Sequence, residues 1–495
     1  MKKYILILSV ISAVLAQPHP LSAQSRLSLA DVIEQAQEKS VQALMARNTY
    51  LSKYWQFRYY KAQLVPSLWL SGSLPNFGRS LTSTQDWQTG EYNYITDYQM
   101  TNRLNLYLQQ NIAATGATVS LNTALQRQDQ YAPDRKTSYV SQPIYLRIDQ
   151  PIGQFNSLKW DKRIEPIKYE QAKFEYLETM GTIAETALSY FFRQLTAEQA
   201  LDMSRKNYEN SSRQYETAKE RFKIGAITKN ELMQLELNVL NTGLEITNND
   251  IQLKLARARL RTFLGIDNEE PLELMIPETV PGVEIPLDRA YDLSINNTSF
   301  TYANRVSGLQ AERSVAQAKA DQGLQIDLSA EFGLNQYGPR IGDAYRSPSD
   351  HERVSLSLTV PILDGGMRQG KVRTAISQRD VTQASLDNDL IERRENLYLT
   401  VMQFNNQHIQ CQVSHKADSI AQERYALAVQ QFAVGNMTVL ELNSAQTDKD
   451  NAHQQYMNAL RDYWNYYYTI QRITLYDFIG QSNISEVFDR TELEK

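Results

Sequence analysis

Three residues with metal-ligand side chains share one helical stretch: His408, Cys411 and His415, at i, i+3 and i+7. On an α-helix these positions lie near one face, and imidazole and thiolate are donors that zinc takes. His453 would lie near His415 if the chain doubles back close to residue 435. No Asp or Glu stands where it would complete a ligand set, so the plainer reading is separate packing or surface residues. Glu269 and Glu270 form a carboxylate pair of the type used in acid–base work, but their proline-rich surroundings read as a loop of solvated charges. The sequence holds no G-x-S-x-G, phosphate loop, H-E-x-x-H or C-x-x-C. No catalytic residue, cofactor site or metal site is therefore assigned.

A different constellation occurs twice. "FKIGAITKNEL" (222–232) and "FAVGNMTVLEL" (432–442) place Phe, Gly, Thr, Glu and Leu in the same order, with Gly225 and Gly435 separated by 435 − 225 = 210 residues. Gly permits the left-handed backbone of a tight turn. Thr228 and Thr438 can each cap a following helix, with Glu231 and Glu441 three residues on to complete a capping box.

The elements around these turns follow from composition and periodicity. The 495 residues are 42% hydrophobic and 22% charged, enough for a packed core. A net charge of −5 with no basic run argues against nucleic acid as a partner. Residues 1–23 read as a secretory leader: Lys2 and Lys3, an apolar run from Ile5 to Leu15, then small residues, with cleavage after Ala23 or Ala16. The single Cys allows no internal disulfide, and no apolar run beyond the leader is long enough for a membrane helix.

"QIDLSAEFGLN" (325–335) and "RVSLSLTVPIL" (353–363) alternate apolar and polar residues with period two. That pattern makes a strand with one water-seeking face, as in a water-filled membrane barrel or an amphipathic soluble sheet. "SLWLSGSL" (67–74) and "YLRIDQPI" (145–152) are their first-half counterparts. The remainder is helical. Leu232, Leu235, Val239, Ile246, Leu253 and Leu260 keep a heptad, and Leu390, Leu397, Val401 and Phe404 begin another. A long helix over about 368–432 would run roughly 95–100 Å and its return from Thr438 to about Tyr476 only roughly 55–60 Å. Further helices over about 28–63 and 287–322 can make up the shorter legs.

The chain thus reads as an internal duplication. Residues 24–265 form a first repeat with an insertion at 75–142 and a hairpin tip near 225; 266–286 form a linker; 287–480 form a second repeat with a tip near 435; 481–495 form a tail. Within the insertion, "RLNLYLQQ" and "TVSLNTAL" alternate around a turn at Gly116 and predict an extra hairpin. Either it joins the other strands, giving six per chain, or it extends beyond them as an extracellular flap.

With the strand-to-helix junction "VPILDGGMRQGKV" (360–372) and the paired turns "FKIGAIT" and "FAVGNMT", the sequence resembles the TolC-type outer membrane efflux protein family over about 27–476. The resemblance implies an α+β membrane protein: a trimeric outer membrane β-barrel of about 12 strands, four from each subunit, continued by a long periplasmic α-helical coiled-coil barrel. With four strands per subunit implied, the flap is the favoured place for the extra hairpin.

The resemblance also implies partners and sites. A homotrimer set in outer membrane lipid would meet a periplasmic adaptor (membrane fusion) protein through Ile224, Gly225 and Thr228 and through Val434, Gly435 and Thr438. The adaptor would couple it to an inner-membrane transporter. The acidic residues that narrow the entrance in that family align with Glu441 and Ser444, one carboxylate kept and one lost; Glu231 is the equivalent of Glu441 in the first repeat. The family's gate arginine and tyrosine align with Met437 and Phe432, so that network does not carry over. The resulting expectation is a passive export duct of an efflux or type I secretion system, not an enzyme. A periplasmic coiled-coil scaffold and an exported metal-binding helical protein are the rivals.

Overall fold

A computed structural model describes residues 26–85, 87–132, 134–266, 272–277 and 280–488. The expected leader, Glu269, Glu270 and Pro271 lie outside the described residues. In order, the elements are α1 (Leu29–Lys39), α2 (Val41–Gln63), β1 (Ser67–Gln85), β2 (Tyr92–Ile112), β3 (Ala117–Ala132), β4 (Lys136–Ile152), α3 (Ser157–Lys223), α4 (Lys229–Leu264), α5 (Leu287–Asn296) and α6 (Ser299–Gln322). They continue with β5 (Gln325–Gly338), β6 (Ser349–Thr359), α7 (Met367–Val434), α8 (Val439–Thr474), β7 (Tyr476–Asp477), β8 (Ser482–Asn483) and α9 (Ile484–Val487). The helical hairpins repeat at an offset of 210 in three of their four boundaries (367 − 157, 439 − 229 and 474 − 264), and α7 runs one residue farther than α3 (434 − 223 = 211).

The chain divides into two compact units, and each takes segments from both halves of the duplication. One comprises residues up to 49, 175–298 and 394–489. Its core gathers Phe191 and Phe192 of α3, Leu260 and Leu264 of α4, Phe404 of α7 and Tyr463 and Ile470 of α8, all buried. Of the heptad positions, Leu235, Leu253, Leu260, Leu397, Val401 and Phe404 are buried, Leu232, Val239 and Ile246 are half-buried, and Leu390 is exposed. Tyr467 of α8 packs in the same core.

Two helices expected to be continuous are broken. Ser40 is extended (φ −65, ψ 150), and its Oγ accepts from the Ala43 backbone N–H at 3.1 Å, capping α2. Asn297, between α5 and α6, is buried because its Nδ2 donates to the carbonyls of Thr474 and Leu475 at 3.0 and 3.1 Å. It satisfies the end of α8, which closes on left-handed Leu475 (φ 47). Residues 482–487, assigned to a tail, form β8 and α9; β8 pairs with β7, and Ser485 Oγ donates to Asn297 Oδ1 at 2.6 Å.

The other unit comprises residues 50–174 and 299–393 and holds one antiparallel sheet in the order β1-β2-β3-β4-β5-β6. Of the two placements expected for the extra hairpin, the pairing shows the one that joins the other strands, six per chain, and not the favoured four with a flap. The extra hairpin forms β2 and β3, which pair along their length with β1 and β4, from Ser67↔Gln109 to Gln85↔Tyr92 on one side and Thr118↔Asp149 to Gln130↔Lys136 on the other. The two repeats meet at Ile152↔Ile326.

Register divides the sheet into two faces. One row reads Leu68–Leu108–Leu121–Leu146–Phe332, all exposed, and ends on β6 at Glu352. The row one residue away reads Ser67–Gln109–Ser120–Arg147–Glu331–Arg353. On that polar face Arg147 bridges Asp149 at 2.8 Å and Glu331 at 2.9 Å.

Candidate functional site: the paired hairpin tips

The two turns fold alike because the same residues make the same bonds. Gly225 has φ 74 and Gly435 φ 86, a region that costs other L-residues roughly 1–2 kcal/mol. At the first tip the Gly225 N–H donates to Phe222 O at 3.0 Å and the Ala226 N–H to Arg221 O at 2.9 Å; at the second, Gly435 donates to Phe432 O at 3.1 Å and Asn436 to Gln431 O at 3.0 Å. These bonds satisfy the last carbonyls of α3 and α7. Thr228 and Thr438 then cap α4 and α8 with nearly identical backbones (φ −81, ψ 158 and φ −82, ψ 159).

Both capping boxes are complete. The Thr228 N–H donates to Glu231 Oε2 at 2.8 Å, and the Glu231 N–H returns to Thr228 Oγ1 at 3.2 Å. The corresponding distances between Thr438 and Glu441 are 2.9 and 3.3 Å. The donated backbone N–H, then the threonine hydroxyl, holds each carboxyl below the usual range for glutamate.

Each tip presents an apolar knob to solvent: Ile224 is 79% exposed and Val434 73%. Beneath them Ala218, Leu235, Tyr425, Phe432, Val439 and Leu442 form a small core that joins the two hairpins. Glu441 and Ser444 are exposed while Leu442 and Ala445 are buried, so the two aligned entrance residues share the outward face of α8. Met437 and Phe432 belong to the core instead.

One residue of this site was missed. Arg221 Nη1 donates to Phe432 O at 3.1 Å, and its guanidinium lies 5.6 Å from the Phe432 ring centre. It ties the second tip to the first and neutralises a helix C-terminus. The available signal was asymmetry: 210 residues later the equivalent position is Gln431.

The His-Cys-His stretch makes no common site. His408 contacts Gln412, Cys411 Sγ donates to Ala459 O at 3.2 Å, and His415 stacks edge-on against Tyr456. His453 sits 3.2 Å from Asp418 rather than beside His415. Among the described residues no three His, Cys, Asp or Glu side chains converge to hold a metal ion. Burial pushes the Cys411 thiol up to about 11 and Tyr468 up to about 12, as expected of groups packed between helices.

Comparison with known proteins follows the same outline. The outer membrane efflux protein family matches residues 109–266 and 303–481. Nodulation protein T of Rhizobium leguminosarum bv. trifolii is 23% identical over 286 residues, which cover 56% of this chain and 59% of that protein. Thus the match spans a little over half the length of that relative. Among solved structures, the Campylobacter jejuni CmeC outer membrane channel is 14% identical with a TM-score of 0.66, covering 94% of this chain and 88% of that one. The Vibrio cholerae outer membrane protein VceC is 13% identical with a TM-score of 0.61, covering 91% and 95%. At these identities the likeness is one of fold.

Proposed function

The chain belongs to the outer membrane efflux protein family, and from that premise we propose that it is the passive outer-membrane duct of a tripartite efflux or type I secretion system. The family consists of channels, not enzymes, and the chain is an outer membrane efflux or secretion channel in that sense. Three copies associate, the sheets close into one barrel in the outer membrane, and the helical hairpins stand in the periplasm. Energy comes from an inner-membrane transporter, reached through a periplasmic adaptor protein.

The observation that carries the adaptor reading is the doubled tip. Ile224-Gly225 and Val434-Gly435 are equivalent apolar knobs on capped turns, highly exposed and supported by a packed core. An exposed apolar side chain on a rigid turn is an anchor for a partner surface. Glu441 and Ser444, on one outward face, are the proposed entrance residues.

The test is envelope crosslinking with the Gly225→Trp/Gly435→Trp double variant. Trimers should still insert and become heat-modifiable, while an adaptor crosslinked to the wild-type protein should be lost. Adaptor capture and export at wild-type levels in the double variant would refute the assignment of the tips.

A further inference from the structure

We infer that all six strands of each chain span the outer membrane, so that three copies of six strands build an 18-stranded barrel with a wide lumen. The inference rests on the trimeric outer-membrane reading and concerns what each copy adds to it.

The inserted hairpin carries the same division of faces as the strands around it. Leu104, Leu106 and Leu108 of β2 fall on the apolar face, and Arg103, Asn105 and Gln109 on the polar one. A flap in water gains nothing from an exposed leucine band shared by neighbouring strands; a wall between lipid and water requires one. Around Leu104–Leu108 the division passes from β1 through β2 and β3 into β4; farther along, the same face carries Asn102 and the Arg127–Asp129 ion pair.

The hairpin turn is also pinned. Gln110 Nε2 donates to Leu64 O at 2.8 Å and Asn111 Nδ2 to Gln63 O at 3.2 Å, both at the end of α2. Asn156 Nδ2, just before α3, donates to Ala113 O at 2.9 Å, and Gln150 Nε2 donates to Thr115 O at 3.1 Å. The turn therefore lies where helices enter and leave the sheet, at the end opposite any extracellular loop. A hairpin anchored at that end runs the full height of the wall.

The sheet remains open at β1 and β6, and an open edge is not tolerated in hydrocarbon. Six is an even number, so β1 and β6 run in opposite directions. The β6 edge of one copy can pair antiparallel with the β1 edge of the next. Leu356 and Leu358 then continue into Leu70 and Leu68 of the neighbour, and Ser355 and Ser357 into Ser71 and Trp69, so both faces remain consistent across the seam. The partner that fits this edge is a second copy of this chain.

Strand number sets the bore. With strands ~4.8 Å apart and tilted ~40°, 12 strands give a backbone diameter of roughly 24 Å and 18 give roughly 36 Å. Allowing about 5 Å of side chain on each side, the open width rises from roughly 14 to roughly 26 Å, so the membrane portion admits solutes nearly twice as wide.

The inference is tested with single cysteines at Asn105, Leu106, Tyr107 and Leu108 in a Cys411→Ala background, in trimers reconstituted into lipid nanodiscs. Asn105→Cys and Tyr107→Cys should react with a charged, water-soluble maleimide about tenfold or more faster than Leu106→Cys and Leu108→Cys, because a thiol in lipid does not ionise. Bimane attached at the two leucine positions should be quenched by brominated lipid. Equal, fast labelling at all four positions would place the hairpin in water and overturn the inference. An electron-microscopy map of the unsubstituted trimer gives an independent count: 18 strands support the proposal, and 12 overturn it. A monomer by light scattering would remove the trimeric reading itself and the barrel with it; a 12-stranded trimer would overturn only the strand count.

Discussion

The tips predict an inequality between two similar glycines. An added Cβ at Gly225 would meet no heavy atom within 4 Å, whereas at Gly435 it would lie 3.1 Å from Arg221 Nη2. Gly225→Ala therefore suffers only the left-handed backbone cost, roughly 1–2 kcal/mol, which raises local opening roughly 5- to 30-fold. Gly435→Ala suffers the same cost and also displaces Arg221 from Phe432 O. Loss of that bond adds roughly 0.5–1.5 kcal/mol, a further roughly 2- to 12-fold. Native-state hydrogen exchange at the Ala226 and Asn436 amides, bonded to Arg221 O and Gln431 O, reads the two openings separately. Arg221→Ala closes the cycle: in that background the two alanine substitutions should have the same effect. Equal effects with Arg221 present, or a difference that persists without it, would show that Arg221 does not tie the tips together.

Other outcomes follow from the same geometry. Glu441→Gln should lower cation selectivity and weaken block by multivalent cations added on the periplasmic side of reconstituted channels, because carboxylates repeated around an entrance focus the field. Unchanged selectivity would leave Glu441 with the capping role it shows here, which Gln can also fill. Glu231 and Glu441 have carboxyls held below the ordinary value of 4.5, so their stabilisation is full above that value and is lost as pH falls through the lower, folded one. Tip amides should exchange faster on acidification, and Thr438→Ala, which costs about 0.5–2 kcal/mol of capping, should remove most of that pH dependence at the second tip; an unaltered acid response in the variant would contradict it. Cys411, buried and raised to about 11, should resist alkylation at pH 8 in the folded protein and react in denaturant; rapid labelling of the folded protein would show that the α7–α8 seam opens.

Local rules made the helical half of the protein legible. Gly225, Thr228 and Glu231 specify a turn, a cap and a capping box within a few residues, and their copies 210 residues on do the same. The heptad leucines then place the return helices. The break at Ser40 has a local cause as well, since a serine hydroxyl three residues before an amide is a cap signal. Asn297 is different. Nothing near it in sequence states that Thr474 and Leu475 will need a donor, so the break between α5 and α6 could be found only after the end of α8 was in place. Arg221 is hidden for the same reason: its partner carbonyl belongs to Phe432, 211 residues away.

The sheet shows the limit most clearly. Leu104, Leu106 and Leu108 alternate in the sequence, and alternation establishes a strand with an apolar face. It does not say which strand lies beside it. A free-standing flap and a barrel wall share the period, and only register separates them: Leu108 opposite both Leu68 and Leu121 makes β2 an interior strand with neighbours on each side. The four-strand pattern implied by resemblance favours the flap, whereas the residues themselves favour neither arrangement. Pairing along the whole of β2 and β3, together with a turn fastened to the ends of α2 and β4, turns the same leucines into part of a continuous surface. An insertion of two strands is also the smallest change that widens a barrel while keeping the chain's entry and exit on one side, because an odd number would send β4 away from α3. The duplication thus fixes the hairpins that carry the tips, and the paired insertion alters the sheet without disturbing them.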